Sequence, residues 1–208
     1  FRPRRPLNGA LVTVSVSDLM LWGDEERARY AAHVRERIAE LYNRLGARFP
    51  VYLLVTKADL LAGFMEFFGE LDADARAQVW GATFDLAAAR SGGEGPGSRF
   101  GFEFAALEQR LYAELRGRLQ QESDLQRRAA IYRFPQEFHG LGPRLERFVE
   151  AGFSRQASAG LLRAVDFTSG TQEGSPIDRV LGTLARSFKL ERAAAVASSG
   201  TGKSFFLA

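Results

Sequence analysis

The segment from Leu11 to Val55 constrains this chain more than any other. LVTVSVSDL (11–19) is rich in β-branched residues and follows the turn-like PLNG, so a strand is expected there. Its near-continuous apolar character suits a buried parallel strand, although the serines weaken the pattern. From Asp24 to Leu45 the period changes. Ala31, Val34, Ile38, Leu41 and Leu45 recur at three- and four-residue spacing, which predicts one apolar helical face. Asp24 suits the helix start and Gly46 a left-handed stop. Pro50 then introduces the strand VYLLV (51–55). A strand–helix–strand unit needs a crossover, and the crossover makes an α/β fold with a parallel sheet the natural reading.

Beyond this unit, short helices are expected around Leu60–Phe68 and Ala73–Trp80. RSGGEGPGSRFG (90–101) holds five glycines and a proline and is expected to be a loop. It has neither the residue order nor the lysine of a phosphate-binding loop. Phe104, Leu107, Leu111, Leu115 and Leu119 predict a long helix, with further helix towards Arg128. AAIYRF (129–134) is read as a strand stopped by Pro135, and Leu141, Leu145, Phe148 and Val149 as a helix face. LLRAVDF (161–167) is another strand candidate. Ser175, Pro176 and Asp178 make a helix start, with Ile177, Val180, Leu181, Leu184 and Phe188 as its apolar face. These elements divide the chain into 1–64 and 129–190 as two parts of one α/β domain, 65–128 as a mostly helical insertion, and 191–208 as an exit segment.

Composition removes several function classes. The chain has no cysteine, so disulfides, thiolate catalysis and cysteine-held metals are excluded. Its 28 basic and 25 acidic residues leave a net charge of +3, too little to argue for nucleic acid, and no nucleic-acid partner is expected. The arginines between Arg110 and Arg133 are interspersed with acids and suit a solvated helical surface. His33 and His139 are isolated, so no metal site is expected. No catalytic constellation stands out. Trp22 and Trp80 are read as core or interface anchors. No run of about 20 apolar residues is present to span a membrane. The chain begins at Phe1 and stops in the apolar run FFLA, so it is expected to be a fragment, with little self-association.

Thr56-Lys57-Ala58-Asp59 follows the second strand with the Asn/Thr-Lys-x-Asp spacing of a guanine-recognition loop. An aspartate carboxylate can accept two hydrogen bonds from guanine N1 and N2, while a lysine stem lies over the base. Ligands collect beyond the carboxyl ends of parallel strands, which is where this tetrad falls. The competing reading makes Asp59 a helix cap and Lys57 a solvated loop residue. In Asp166-Phe167-Thr168-Ser169-Gly170-Thr171, Ser169 could bring a backbone amide to the guanine oxygen, although AIYRFPQ competes for that place in the sheet. ASSGTGKS (197–204) approaches the phosphate-loop pattern, but KLERAAAVA before it looks helical and no strand leads into it. A connection leading to an apolar segment is the expectation there.

RPLNGALVTVSVSDL (5–19), FPVYLLVTKADLLAGFMEFFGEL (49–71), QVWGATF (78–84), YRFPQEF (132–138) and VDFTSGTQEGSPIDRVLG (165–182) together resemble the cytoplasmic domain of the IcmF/TssM family. TGKSFFL (201–207) resembles the segment by which that family leaves the domain. The resemblance covers essentially the whole chain. It implies a bacterial inner-membrane protein of type VI secretion, with this part on the cytoplasmic side. Its partners would be other membrane-complex subunits and baseplate proteins. It also implies a truncated GTPase-like P-loop NTPase fold, in which Thr56, Lys57, Asp59 and Ser169 are a candidate vestigial guanine site. The phosphate loop and magnesium-associated acid would lie upstream of Phe1. Hence no cofactor is expected in this fragment, whereas GTP or ATP with magnesium could serve the complete protein. The expected function is that of a structural and docking domain, with Trp80, Phe84 and the arginines of 110–128 as anchor candidates. The alternative is a GTPase-like, nucleotide-dependent assembly switch.

Overall fold

The structure, a computed structural model, describes residues 7–85, 96–153, 161–170 and 204–206. Strand β1 (Ala10–Ser15), helix α2 (Asp24–Leu45) and strand β2 (Pro50–Thr56) form the crossover unit, and the two strands pair in parallel from Ala10↔Val51 to Ser15↔Thr56. The first strand is shorter than the sequence suggests. The Ser15 hydroxyl accepts the Asp18 backbone N–H at 3.1 Å, and this cap turns Val16–Leu21 into a short helix, α1.

Helix α2 starts one residue from the expected cap. Gly23 is the N-cap, and Asp24 sits in the first turn with Glu25 and Glu26, where carboxylates meet the positive end of the helix dipole. Asp24 also pairs with Arg27, and the hydrogen bond from that guanidinium, with Arg147 nearby, holds its carboxyl below the ordinary value. Gly46 ends the helix at φ 60, as its position predicts. Ala31, Val34, Ile38 and Tyr42 form the buried face, whereas Leu41 and Leu45 are 42% and 49% exposed. The 3.6-residue period puts residue 42, not 41, over the core. There the Tyr42 hydroxyl donates to the Phe49 carbonyl at 2.7 Å and accepts the Leu161 N–H at 3.2 Å. Burial raises the Tyr42 pKa above its ordinary value.

After β2 come a single 3-10 turn (Ala58–Leu60) and helices α3 (Phe64–Phe68) and α4 (Ala73–Arg76). Gly63 caps α3 at φ 83, and a Cβ there would collide with the Ala130 carbonyl. Trp80 does not end a helix; it opens strand β3 (Trp80–Thr83). Helix α5 (Pro96–Gln121) begins inside the stretch expected to be a loop, with Pro96 suited to a first turn. The buried stripe of α5 is Phe100, Phe104, Leu107, Leu111 and Leu115.

The largest departure lies at AAIYRF. These residues belong to helix α6 (Leu125–Phe153), which runs through both Pro135 and Pro143. Ile131, Phe134, Phe138, Leu141, Leu145 and Phe148 are buried at helical spacing along it. Burial over this many turns outweighs the helix-breaking cost of two prolines.

Strand β4 (Leu161–Phe167) then lies parallel to β2, and β3 closes the far edge antiparallel to β4. The sheet order is β1-β2-β4-β3, so the sheet is mixed and mostly parallel, not purely parallel as expected. β3 comes from within 65–128, so that stretch supplies a strand to the main sheet as well as helices. Val51, Leu53, Val55, Val165 and Phe167 are fully buried, and Phe167 lies against Phe138 of α6 and Phe104 of α5. On the opposite face Leu11 is 70% exposed. A two-residue strand β5 (Ser169–Gly170) pairs antiparallel with β6 (Ser204–Phe205). The expected helix from Ser175 to Phe188, the helical reading of KLERAAAVA, and Thr171 lie outside the described residues.

Candidate functional site

β2 and β4 are neighbours and run in the same direction, so their carboxyl ends bring Thr56–Asp59 beside Thr168–Ser169. The competition for that sheet position is settled by AIYRFPQ being helical. Backbone hydrogen bonds join the two loops: Thr168 N–H donates to Val55 O at 2.9 Å, and Ala58 N–H donates to Thr168 O at 3.1 Å. The Ser169 hydroxyl donates to Asp59 Oδ1 at 2.6 Å. Asp59 is only 3% exposed and Ser169 only 1%. The three motif side chains therefore face different surroundings. Asp59 is turned into the protein, Thr56 donates to the Val14 carbonyl at 3.4 Å, and Lys57 is exposed.

Lys57 has φ 60 and ψ 40, the left-handed region that a lysine seldom occupies. This bend carries the chain from β2 into the 3-10 turn. Asp59 does not cap the helix that follows, because Gly63 holds that position. At the end of β1, Ser15 and Ser17 share a 2.8 Å hydroxyl contact. A carboxylate, hydroxyls and a lysine are the residue types of a base-reading edge, but here Asp59 and Ser169 are buried against each other and Lys57 is exposed. Among the described residues no cluster of acids or histidines could hold a metal. Lys203 lies outside the described residues, while Ser204 pairs with Gly170.

Two features escaped the sequence reading. Asp166 lies on β4 opposite Gly81, and its Oδ1 is buried without a hydrogen-bond partner among the described residues. Burial raises its pKa to about 6. A charged residue inside LLRAVDF was the available signal. The second is an aromatic junction of α3, β3, α6 and β6, in which Phe64 touches Phe68, Trp80, Phe134, Phe205 and Phe206. Trp80 and Phe84 were expected as partner anchors. Trp80 packs in this junction and Phe84 is 4% exposed, so the core uses both. Among the arginines of 110–128, Arg118 lies over the Phe67 ring at 4.5 Å and pairs with Glu114, and Arg127 pairs with Glu122. Arg110, Arg116 and Arg128 are exposed. His139 meets Glu108 at 2.7 Å in mid-helix, and His33 is exposed on α2.

A mostly parallel α/β domain with two stitched loops at its strand ends defines the class. The chain belongs to the IcmF-related family: the model of the IcmF-related N-terminal domain matches residues 1–208. It is 51% identical over 208 residues, 99% of its length, to the type VI secretion system component TssM1 of Pseudomonas aeruginosa. It spans 19% of that relative's length. No solved structure matches the chain. No helix among the described residues is long and apolar enough to cross a membrane.

Proposed function

We propose that this chain is a structural and docking domain of a type VI secretion inner-membrane component. It works on the cytoplasmic side, against other membrane-complex subunits and baseplate proteins. The observation that carries this reading is the placement of Asp59. Its carboxylate is buried and already accepts a hydroxyl from Ser169, so the residue best suited to read a guanine base instead locks two strand ends together. Membership of the IcmF-related family and the similarity to a type VI secretion component supply the context.

The docking face is the outer side of the α5–α6 hairpin. Phe102 is 74% exposed, Tyr132 56% and Tyr112 49%. Exposed aromatics together with the exposed Arg110, Arg116 and Arg128 of the same two helices have the composition of protein interface anchors. The occupant is a protein subunit of the secretion assembly. The test is co-purification of the complete protein with the secretion assembly, comparing wild type with a Phe102→Ala, Tyr132→Ala variant. Loss of subunits with an unchanged melting temperature is expected. Full retention of every subunit would overturn this choice of face.

A second reading is favoured by the left-handed Lys57 between two parallel strand ends, since strained backbone and strand-end loops both collect at ligand sites. In it the P-loop-like fold is a GTPase-like assembly switch, and Thr56, Lys57, Asp59 and Ser169 meet the base. GTP or ATP with magnesium would then need phosphate contacts from outside the described residues. Such contacts contribute strongly to nucleotide affinity, so contacts from Thr56–Asp59 and Ser169 alone would hold a nucleotide weakly. Calorimetric titration with GTP, GDP and ATP in magnesium buffer separates the readings. Guanine-selective binding lost in Asp59→Ala would displace the scaffold reading.

A further inference from the structure

Ser204–Phe206 reaches the candidate loop by an unbroken series of contacts. β6 pairs with β5 through Ser169↔Phe205 and Gly170↔Ser204. Ser169 donates its hydroxyl to Asp59, and the preceding Thr168 exchanges backbone hydrogen bonds with Val55 and Ala58. At its other end the segment is anchored in the aromatic junction. Phe205 is fully buried and meets Phe64 edge-on at 5.5 Å, while Phe206 meets Phe68 at 5.2 Å and Trp80 at 5.3 Å. Arg76 clamps it from outside: its carbonyl accepts the Phe206 N–H at 2.6 Å and its guanidinium lies 5.8 Å from the Phe205 ring.

A two-residue pairing is marginal by itself in water. The burial of two phenylalanines therefore holds the segment in place, and the pairing transmits where it sits. Phe206 has φ 57, so the chain also bends sharply as the second ring enters.

We infer that Ser204–Phe206 is a strap that sets the conformation of the Thr56–Asp59 loop, so that docking of the strap and the state of the loop are linked. The linkage runs through Ser169, whose backbone belongs to the strap's pairing and whose side chain belongs to the loop. With the strap seated, Ser169 is held where its hydroxyl meets Asp59. With the strap released, β5 loses its partner strand and Ser169 is free to leave the carboxylate. Any partner that captures residues 204–206 would open the loop, and any ligand that takes Asp59 from Ser169 would loosen the strap. This linkage is independent of whether the loop holds a nucleotide.

Linkage must act equally in both directions, which gives a test that a merely structural plug would fail. Hydrogen exchange is followed in the 208-residue chain, comparing the amides of 56–60 and 204–206 with those of α2 as an internal control. Phe206→Ala, which removes the strap's ring from its contacts with Phe64, Phe68 and Trp80, is expected to speed exchange in 56–60 by about tenfold, the order of one hydrogen bond. Ser169→Ala, whose side-chain change removes the contact with Asp59, is expected to speed exchange at 204–206 as well. Exchange in α2 stays unchanged in both. If Phe206→Ala unfolds the chain, Phe206→Leu keeps an apolar side chain and the Ser169→Ala arm stands alone. Unchanged strap exchange in Ser169→Ala would overturn the inference, as would acceleration of α2 equal to that of the loop.

Discussion

The aromatic junction and the stitched strand-end loops both fix the carboxyl end of the sheet, but by different physics. In the junction, Phe134 alone meets Phe64, Phe67, Phe68, Trp80 and Phe138, all with ring centroids between 5.0 and 6.3 Å. No single contact decides the arrangement, because dispersion and apolar burial are spread over many rings. In the loops, position depends on a few directed bonds, chiefly Ser169 to Asp59 and the pair between Thr168, Val55 and Ala58. The junction therefore supplies stability that degrades gradually, while the loops supply a geometry set by a few directed bonds, each of which a single atom can remove. A region meant to respond to a partner is better built the second way.

The comparison breaks most visibly at Phe134, which is fully buried. Phe134→Ala should cost about 3–5 kcal/mol, read as a lower urea midpoint, because a ring-sized cavity cannot close against helix and sheet together. A loss below about 1 kcal/mol would mean that the neighbouring rings repack freely. Gly81→Ala comes next. Its Cβ would strike the Val165 carbonyl and the Asp166 carboxyl, and backbone in a paired strand cannot swing aside. About 1–3 kcal/mol is expected, as for overpacking elsewhere.

Ser169→Ala tests the loop side of the comparison. Only an oxygen is removed, so the apolar core is untouched. A buried carboxylate then loses a hydrogen bond, which should cost about 1–2 kcal/mol. Thermal unfolding of Ser169→Ala and Ser169→Thr checks this, since threonine restores the hydroxyl. Equal melting temperatures for the alanine variant and the wild type would show that the Asp59 carboxylate finds another donor.

These regions also differ in how far the sequence announced them. α2 was legible to within one residue of its cap because its buried positions keep a helical period, no proline interrupts it, and Gly46 marks the stop. β2 was legible from VYLLV following Pro50. AAIYRF misled because six residues ahead of a proline fit a strand as well as a helix, and only burial out to Phe148 decides between them. β3 was missed for a similar reason: Trp80–Thr83 becomes a strand by pairing with β4, a contact about eighty residues away in the chain. The Thr56–Asp59 tetrad was visible as a pattern, but its partner Ser169 depends on β4 lying next to β2. The packing of the strap left almost no signal, since nothing around Phe205 and Phe206 in the sequence marks their place against Phe64 and Trp80.

Asp166 is the case in which neither strategy is complete, and it predicts the smallest effect. Its Oδ1 lies against Gly81, buried and without a donor among the described residues, and burial raises its pKa from 3.8 to about 6. An acid with a raised pKa in the folded state binds more protons folded than unfolded between those two values. Stability from this group is therefore fully present below about pH 3.8 and falls as the pH rises through about 6. The carboxyl is only partly buried, so solvent screening cuts the effect well below the full conversion of the shift, to under about 1 kcal/mol. Asp166→Asn removes the charge and keeps the shape. Its urea midpoint should match the wild type near pH 4, rise above it through pH 6 and hold a constant advantage at pH 7. Parallel curves across that range would mean that the carboxylate is solvated well enough to ionise at its ordinary value. The strand would then be as well satisfied at Asp166 as the loop is at Asp59.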